Sequence, residues 1–111
     1  MPNASKDKGD RGEREAAALI SDLLGYKVQR KLGAGRKEDV GDMHGLPDTV
    51  IQVANWADVA RAAREKPVAA ESQRLNDGAT FATALVRFRG GTWRFVLTPD
   101  QFATLWREAT A

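Results

Sequence analysis

The seven residues Thr49-Val50-Ile51-Gln52-Val53-Ala54-Asn55 constrain this chain more than any other stretch. They are β-branched or apolar at nearly every position, on both parities of an extended chain. That pattern predicts a strand covered on both faces. A strand of this kind belongs inside an α/β domain, in a mixed sheet with helices on either side, and is expected to be central. At 111 residues the chain has the length of one such domain.

The remaining pattern supplies the covering elements. Ala16, Leu19, Ile20, Leu23 and Leu24 recur at three- and four-residue spacing and predict a helix over 9–24, ended by Gly25. Residues 1–8 read as a flexible basic arm, leaving 9–111 as the folded domain. Alternation from Tyr26 to Leu32 predicts a strand, and Asp42 to His44 a second, short one before the turn Gly45-Leu46-Pro47-Asp48. A helix follows over 56–76, with a break expected near Glu65-Lys66 and a fresh helical start at Pro67. Two strands, 80–88 and 93–97, form a hairpin around Arg89-Gly90-Gly91, and Thr98-Pro99-Asp100-Gln101 carries the capping signature of a last helix. The expected order is α-β-β-β-α-β-β-α.

Composition excludes several classes of function. With no cysteine there is no disulfide framework, thiolate metal site or cysteine nucleophile, which fits a reducing cytoplasm. No run approaches the ~18 apolar residues of a membrane span, and the first ten residues do not resemble a signal peptide. His44 is the sole histidine and is expected at a surface or strand edge. Net charge is only +2, but its distribution is uneven: Lys27, Arg30, Lys31, Arg36 and Lys37 fall within eleven residues that contain no acid and two glycines. Such a stripe attracts polyanions, and glycines let a phosphate approach the backbone; the plainer alternative is a solvated loop.

Four features follow one another in a particular order: Lys8-Gly9-Asp10-Arg11-Gly12-Glu13-Arg14-Glu15 at the start of the first helix, the basic glycine loop, Asp39-Val40-Gly41-Asp42-Met43-His44-Gly45, and Ile51-Gln52-Val53-Ala54-Asn55 on the buried strand. In this the chain resembles the PD-(D/E)XK nuclease superfamily, and within it the Holliday-junction resolvases of archaea and bacteriophages. The resemblance extends over nearly the whole chain. It implies the restriction-endonuclease-like fold and Mg²⁺-dependent cleavage of branched DNA, such as a four-way junction, by a homodimer. It assigns Glu13 to the helix glutamate, Asp42 to the metal-binding aspartate, Gln52 to the glutamate and Ala54 to the lysine of the Glu-x-Lys motif. Glu13, Asp42 and Gln52 would then hold the metal at one pocket, while Lys8, Arg30, Lys31, Arg36 and Lys37 would contact DNA.

Each assignment has a plainer alternative. Glu13 could be a first-turn helix acid, Asp42 a turn residue and Gln52 a buried, hydrogen-bonded amide. Asp39 reads as a loop acid, and Glu71 with Arg74 as a helical ion pair. Trp56, Trp93 and Trp106 read as core or dimer-interface residues. The departures from the family motif lie at its centre. Gln52 offers only a neutral carbonyl to a metal and Ala54 offers nothing, so cleavage is expected to be weak or lost. Lys66, Lys37 and Asn55 are candidate replacements for the lysine, but Asn55 should face the other side of the sheet from Gln52. A DNA-binding or regulatory protein of the same fold is the alternative function.

Overall fold

The computed structural model describes residues 4–30 and 43–111. Its elements are α1 (Ala4–Leu24), β1 (Gln29–Arg30), β2 (Met43–His44), β3 (Thr49–Ala54), α2 (Val59–Asp77), β4 (Phe81–Phe88), β5 (Thr92–Val96) and α3 (Pro99–Ala109). They form a small α/β domain with three helices and a three-stranded mixed sheet, in the element order expected from the sequence. β3 and β4 run parallel, from Thr49 opposite Phe81 to Ala54 opposite Val86, with α2 as the crossover. β5 returns antiparallel to β4. β1 and β2 form a separate two-stranded ladder.

Three expectations need correcting. The central strand of the three is β4, not β3. Phe81-Ala82-Thr83-Ala84-Leu85-Val86 is also apolar on both parities, and its eight-residue strand is longer than β3. β3 is buried nonetheless, because helices cover both its faces. Second, α1 begins at Ala4, so residues 4–8 of the expected arm are helical; Ala4-Ser5-Lys6-Asp7-Lys8 contains no helix breaker, and Gly9 costs only about 1 kcal/mol. Third, α2 passes through Pro67 unbroken. The proline denies the Ala63 carbonyl its i+4 donor, but Pro67 is buried and its own carbonyl accepts from Gln101 Nε2 at 2.9 Å. Both ends of α2 are fixed, by the Asp58 side chain accepting from the Arg61 amide at 3.0 Å and by Gly78 in the left-handed conformation.

Strand parity sorts the sheet residues into two layers. Ile51, Val53 and Leu85 meet Ala16, Ala17 and Ile20 of α1 in one cluster, joined by Val28 and Met43. On the other face Ala54, Ala84 and Val86 pack with Ala62 of α2, and Val50 and Ala82 with Ala70. Small residues at 54, 62, 70, 82 and 84 let α2 lie close to the sheet.

The first layer is equally tight at the end of β3. A Cβ added at Gly12 would stand 2.8 Å from Asn55 Cβ. Replacing a helical glycine by alanine usually stabilises by about 1 kcal/mol, but here the overpacking, about 1–3 kcal/mol, outweighs that gain. Gly12→Ala is therefore expected to lower the urea midpoint; a raised midpoint would show that α1 does not seat on Asn55.

α3 is capped as the sequence foretells. Thr98 Oγ1 accepts from the Gln101 amide at 3.1 Å, and Gln101 Oε1 accepts from the Thr98 amide at 2.9 Å. The same buried Gln101 ties α3 to α2 by donating to Pro67 O and, at 3.2 Å, to Glu71 Oε1. Arg74 donates to Glu71 Oε2 through Nη2 at 2.6 Å and Nε at 3.0 Å.

The hydrogen bond from Arg74, and then that from Gln101, hold the Glu71 carboxyl below the ordinary glutamate value of 4.5 against the opposing effect of burial. Glu15 is lowered likewise, first by the hydrogen bond from Trp93 Nε1 and then by Arg87. A group with a depressed folded pKa binds fewer protons folded than unfolded. Its contribution is complete above the unfolded value and is lost as pH falls through the folded one. Urea midpoints should be flat from neutrality to about pH 5 and drop below the glutamate range, and Glu71→Gln should flatten part of that drop. An equally steep acid limb in the variant would remove Glu71 from the account.

Candidate functional site

The site residues expected from the sequence distribute over both layers. Gln52 and Ala54 lie on the α2 face of β3 and are 6% and 1% exposed. Glu13, 5% exposed, lies on the sheet-facing stripe of α1, which packs against Ile51 and Val53 on the opposite face. The described residues thus bring Gln52 together with α2 and Glu13 together with the other side of the sheet. Around α1, at about 100° per residue, Glu13 and Glu15 fall on opposite flanks. Glu15 takes the β5 flank, accepting from Trp93 Nε1 at 2.9 Å and Arg87 Nε at 3.3 Å. Glu13 takes the flank of Ala17, which shares a cluster with Met43 of β2. Asp42, with Lys31, Arg36, Lys37 and Asp39, lies outside the described residues. Lys8 is placed on α1, Arg30 on β1 and His44 on β2 by their backbones.

On the α2 side the structure assembles a group around Gln52. Lys66 Nζ donates to Gln52 Oε1 at 3.5 Å, a long contact. The same ammonium stands 5.2 Å from the Trp56 ring centroid, and the Arg61 guanidinium lies 5.6 Å from that centroid. Two cations over one indole are held by its quadrupole, each worth roughly 0.5–1 kcal/mol where solvent reaches. Trp56 also packs against the Ala54 cluster, as a core reading of this residue expects. Lys66 is one of the candidate replacements for the missing lysine that the sequence offers. Placing it beside Gln52 required knowing that α2 crosses over the Gln52 face of β3.

Ala54 has no space around it. It is enclosed by Ala62, Ala84 and Val86, with Trp56, Val59, Phe88 and Val96 beyond. The cation near Gln52 therefore comes from α2 rather than from β3.

A divalent magnesium ion needs several hard oxygens, usually including carboxylates. Among the described residues no three acids, histidines or cysteines converge on one point. Gln52 gives one neutral oxygen, and an ammonium already faces it. These residues alone do not fit Mg²⁺, so no chemical step is derived through it. Two cations stand beside the indole and could draw an anion, but the Arg61 guanidinium already donates to Glu65 Oε2 at 2.8 Å, so its charge is largely offset. Glu71 and Arg74 form the helical pair expected, at the α2–α3 junction.

No family model, no curated protein and no solved structure matches the chain. No described helix is long and apolar enough to cross a membrane.

Proposed function

We propose that this chain is a dimeric DNA-binding domain of the PD-(D/E)XK nuclease fold, of the Holliday-junction resolvase type, which grips branched DNA and cuts it at trace rates or not at all. The observation that carries this reading is Gln52, buried on β3 where the resemblance expects a glutamate, with the Lys66 ammonium 3.5 Å from its oxygen. A neutral amide facing a cation is suited to holding a phosphate nearby and poorly suited to binding Mg²⁺. Further support comes from the α-β-β-β-α-β-β-α order with a parallel β3–α2–β4 crossover, and from the basic stripe Lys27 to Lys37 in the sequence.

In this reading Lys66 replaces the lysine missing at Ala54, and Gln52 and Asp42 are the remnants of the metal site, while Glu13, on the α1 side of the sheet, stands apart from Gln52. Lys8, Arg30, Lys31, Arg36 and Lys37 contact phosphates. The test is a nicking assay on a four-way junction, with Mg²⁺ and with chelator, at protein concentrations where the junction is fully bound. Retarded but intact junction in both conditions is the expected outcome. Rapid Mg²⁺-dependent cleavage, abolished by Asp42→Ala, would assign the chain to the active enzymes instead.

A further inference from the structure

We infer that the apolar face formed by the end of α1, β5 and α3 is the surface on which a second copy of this chain docks. A groove of about 570 Å³ opens there, and none of the described residues that line it is charged. Its rim is unusually bare of polar cover. Leu24, Tyr26, Phe95, Phe102, Leu105 and Trp106 each keep between 39% and 60% of their surface exposed. The first five line the groove, and Trp106 borders it, its ring stacked 6.3 Å from that of Phe102. Leu23, also exposed, extends the same surface along α1.

The area and the shape favour a protein copy over other occupants. Counting on the order of 100 Å² for each of these seven half-exposed large side chains, the face offers about 700 Å². That is close to the ~800 Å² per partner of a standard stable interface. A small apolar ligand could fill the groove but would leave Leu23 and Trp106 in water, and contiguous patches of this size are uncommon on monomers. Nucleic acid finds no cation among the described residues of the groove. A two-fold axis would satisfy both halves of the surface at once, because the same face carries a hollow and, beside it, a protruding tryptophan. Each Trp106 can then cover the partner's groove, the self-complementary arrangement of an isologous dimer.

The proposal takes its symmetry from the dimer of the resolvase reading and gives that dimer a location, but its test does not involve DNA. Sedimentation equilibrium on the full chain should show a dimer with Kd on the order of 1 µM or tighter. Phe102→Glu and Trp106→Glu should each weaken it by at least ~30-fold, the loss of one interface anchor. Both side chains are exposed, so the far-ultraviolet circular dichroism of the variants should match the parent. Because the chain has no cysteine, a second measurement stands apart from those variants. Leu105→Cys should oxidise to a covalent dimer faster than Asp77→Cys at the far end of α2. A parent chain that stays monomeric at ~100 µM overturns the inference, and so does a dimer indifferent to Phe102→Glu and Trp106→Glu. A monomer that binds the dye ANS would give the groove to a small apolar ligand. A dimer that fails to bind junction DNA would leave this surface standing and remove the nuclease-fold reading alone.

Discussion

Gln52→Glu is expected to raise Mg²⁺-dependent nicking of four-way junctions by about 10²–10³ over the parent chain, the effect of gaining one well-placed charge-stabilising group. Position 52 is already buried on β3 and already faces Lys66. The substitution changes no heavy-atom count, exchanging the amide nitrogen for a second hard oxygen. The added negative charge would be stabilised by the ammonium 3.5 Å away and would supply the carboxylate that a divalent cation requires. The double variant Gln52→Glu/Lys66→Met should fall back to the parent rate, because the relocated lysine would then be missing. No rise on Gln52→Glu would mean that position 52 is not a remnant of a hydrolytic site. A rise that survives Lys66→Met would mean that the lysine plays no part.

The second large effect is on stability. Ala54→Lys, the substitution that would restore the family motif on β3 itself, is expected to destabilise the domain by about 2–4 kcal/mol. Overpacking a close-fitting cluster costs about 1–3 kcal/mol, and burying an ammonium without an acid beside it adds to that. Ala54 is 1% exposed among Ala62, Ala84 and Val86, and Lys66, which stands beside Gln52 on the same face of β3, would repel a second ammonium rather than pair with it. For a domain of this length the melting temperature should fall by about 10 °C or more. A variant as stable as the parent would show that the α2 layer yields easily, and would reopen position 54 as a place for the missing cation.

Much of the architecture was legible in the residues. The both-sided burial of Thr49–Ala54, the hairpin at Arg89–Gly91 and the Thr98–Gln101 cap are local signals with one physical meaning each, and each appears where it was expected. The misreadings came from signals that tertiary structure overrides. Pro67 costs a helix one hydrogen bond, but burial against the sheet and the bond from Gln101 to its carbonyl hold it inside α2. The ranking of β3 as central failed because an apolar run reports burial, not how many neighbours a strand hydrogen-bonds; β3 is shielded by helices while β4 holds the middle. At the site, strand parity was enough to place Gln52 and Ala54 on one face and Asn55 on the other. The approach of Lys66 was not readable, since fourteen residues and an apparent helix break separate it from Gln52.

The fluorescence anisotropy of a labelled four-way junction, titrated with the parent chain across a salt series beside a sequence-matched linear duplex, bears most directly on the reading of this domain as a branched-DNA binder. Tighter binding to the junction than to the duplex is expected, with affinity falling by roughly 10³ or more between ~50 and ~200 mM salt if some six phosphates are contacted. No binding to either DNA at the lowest salt would contradict the account.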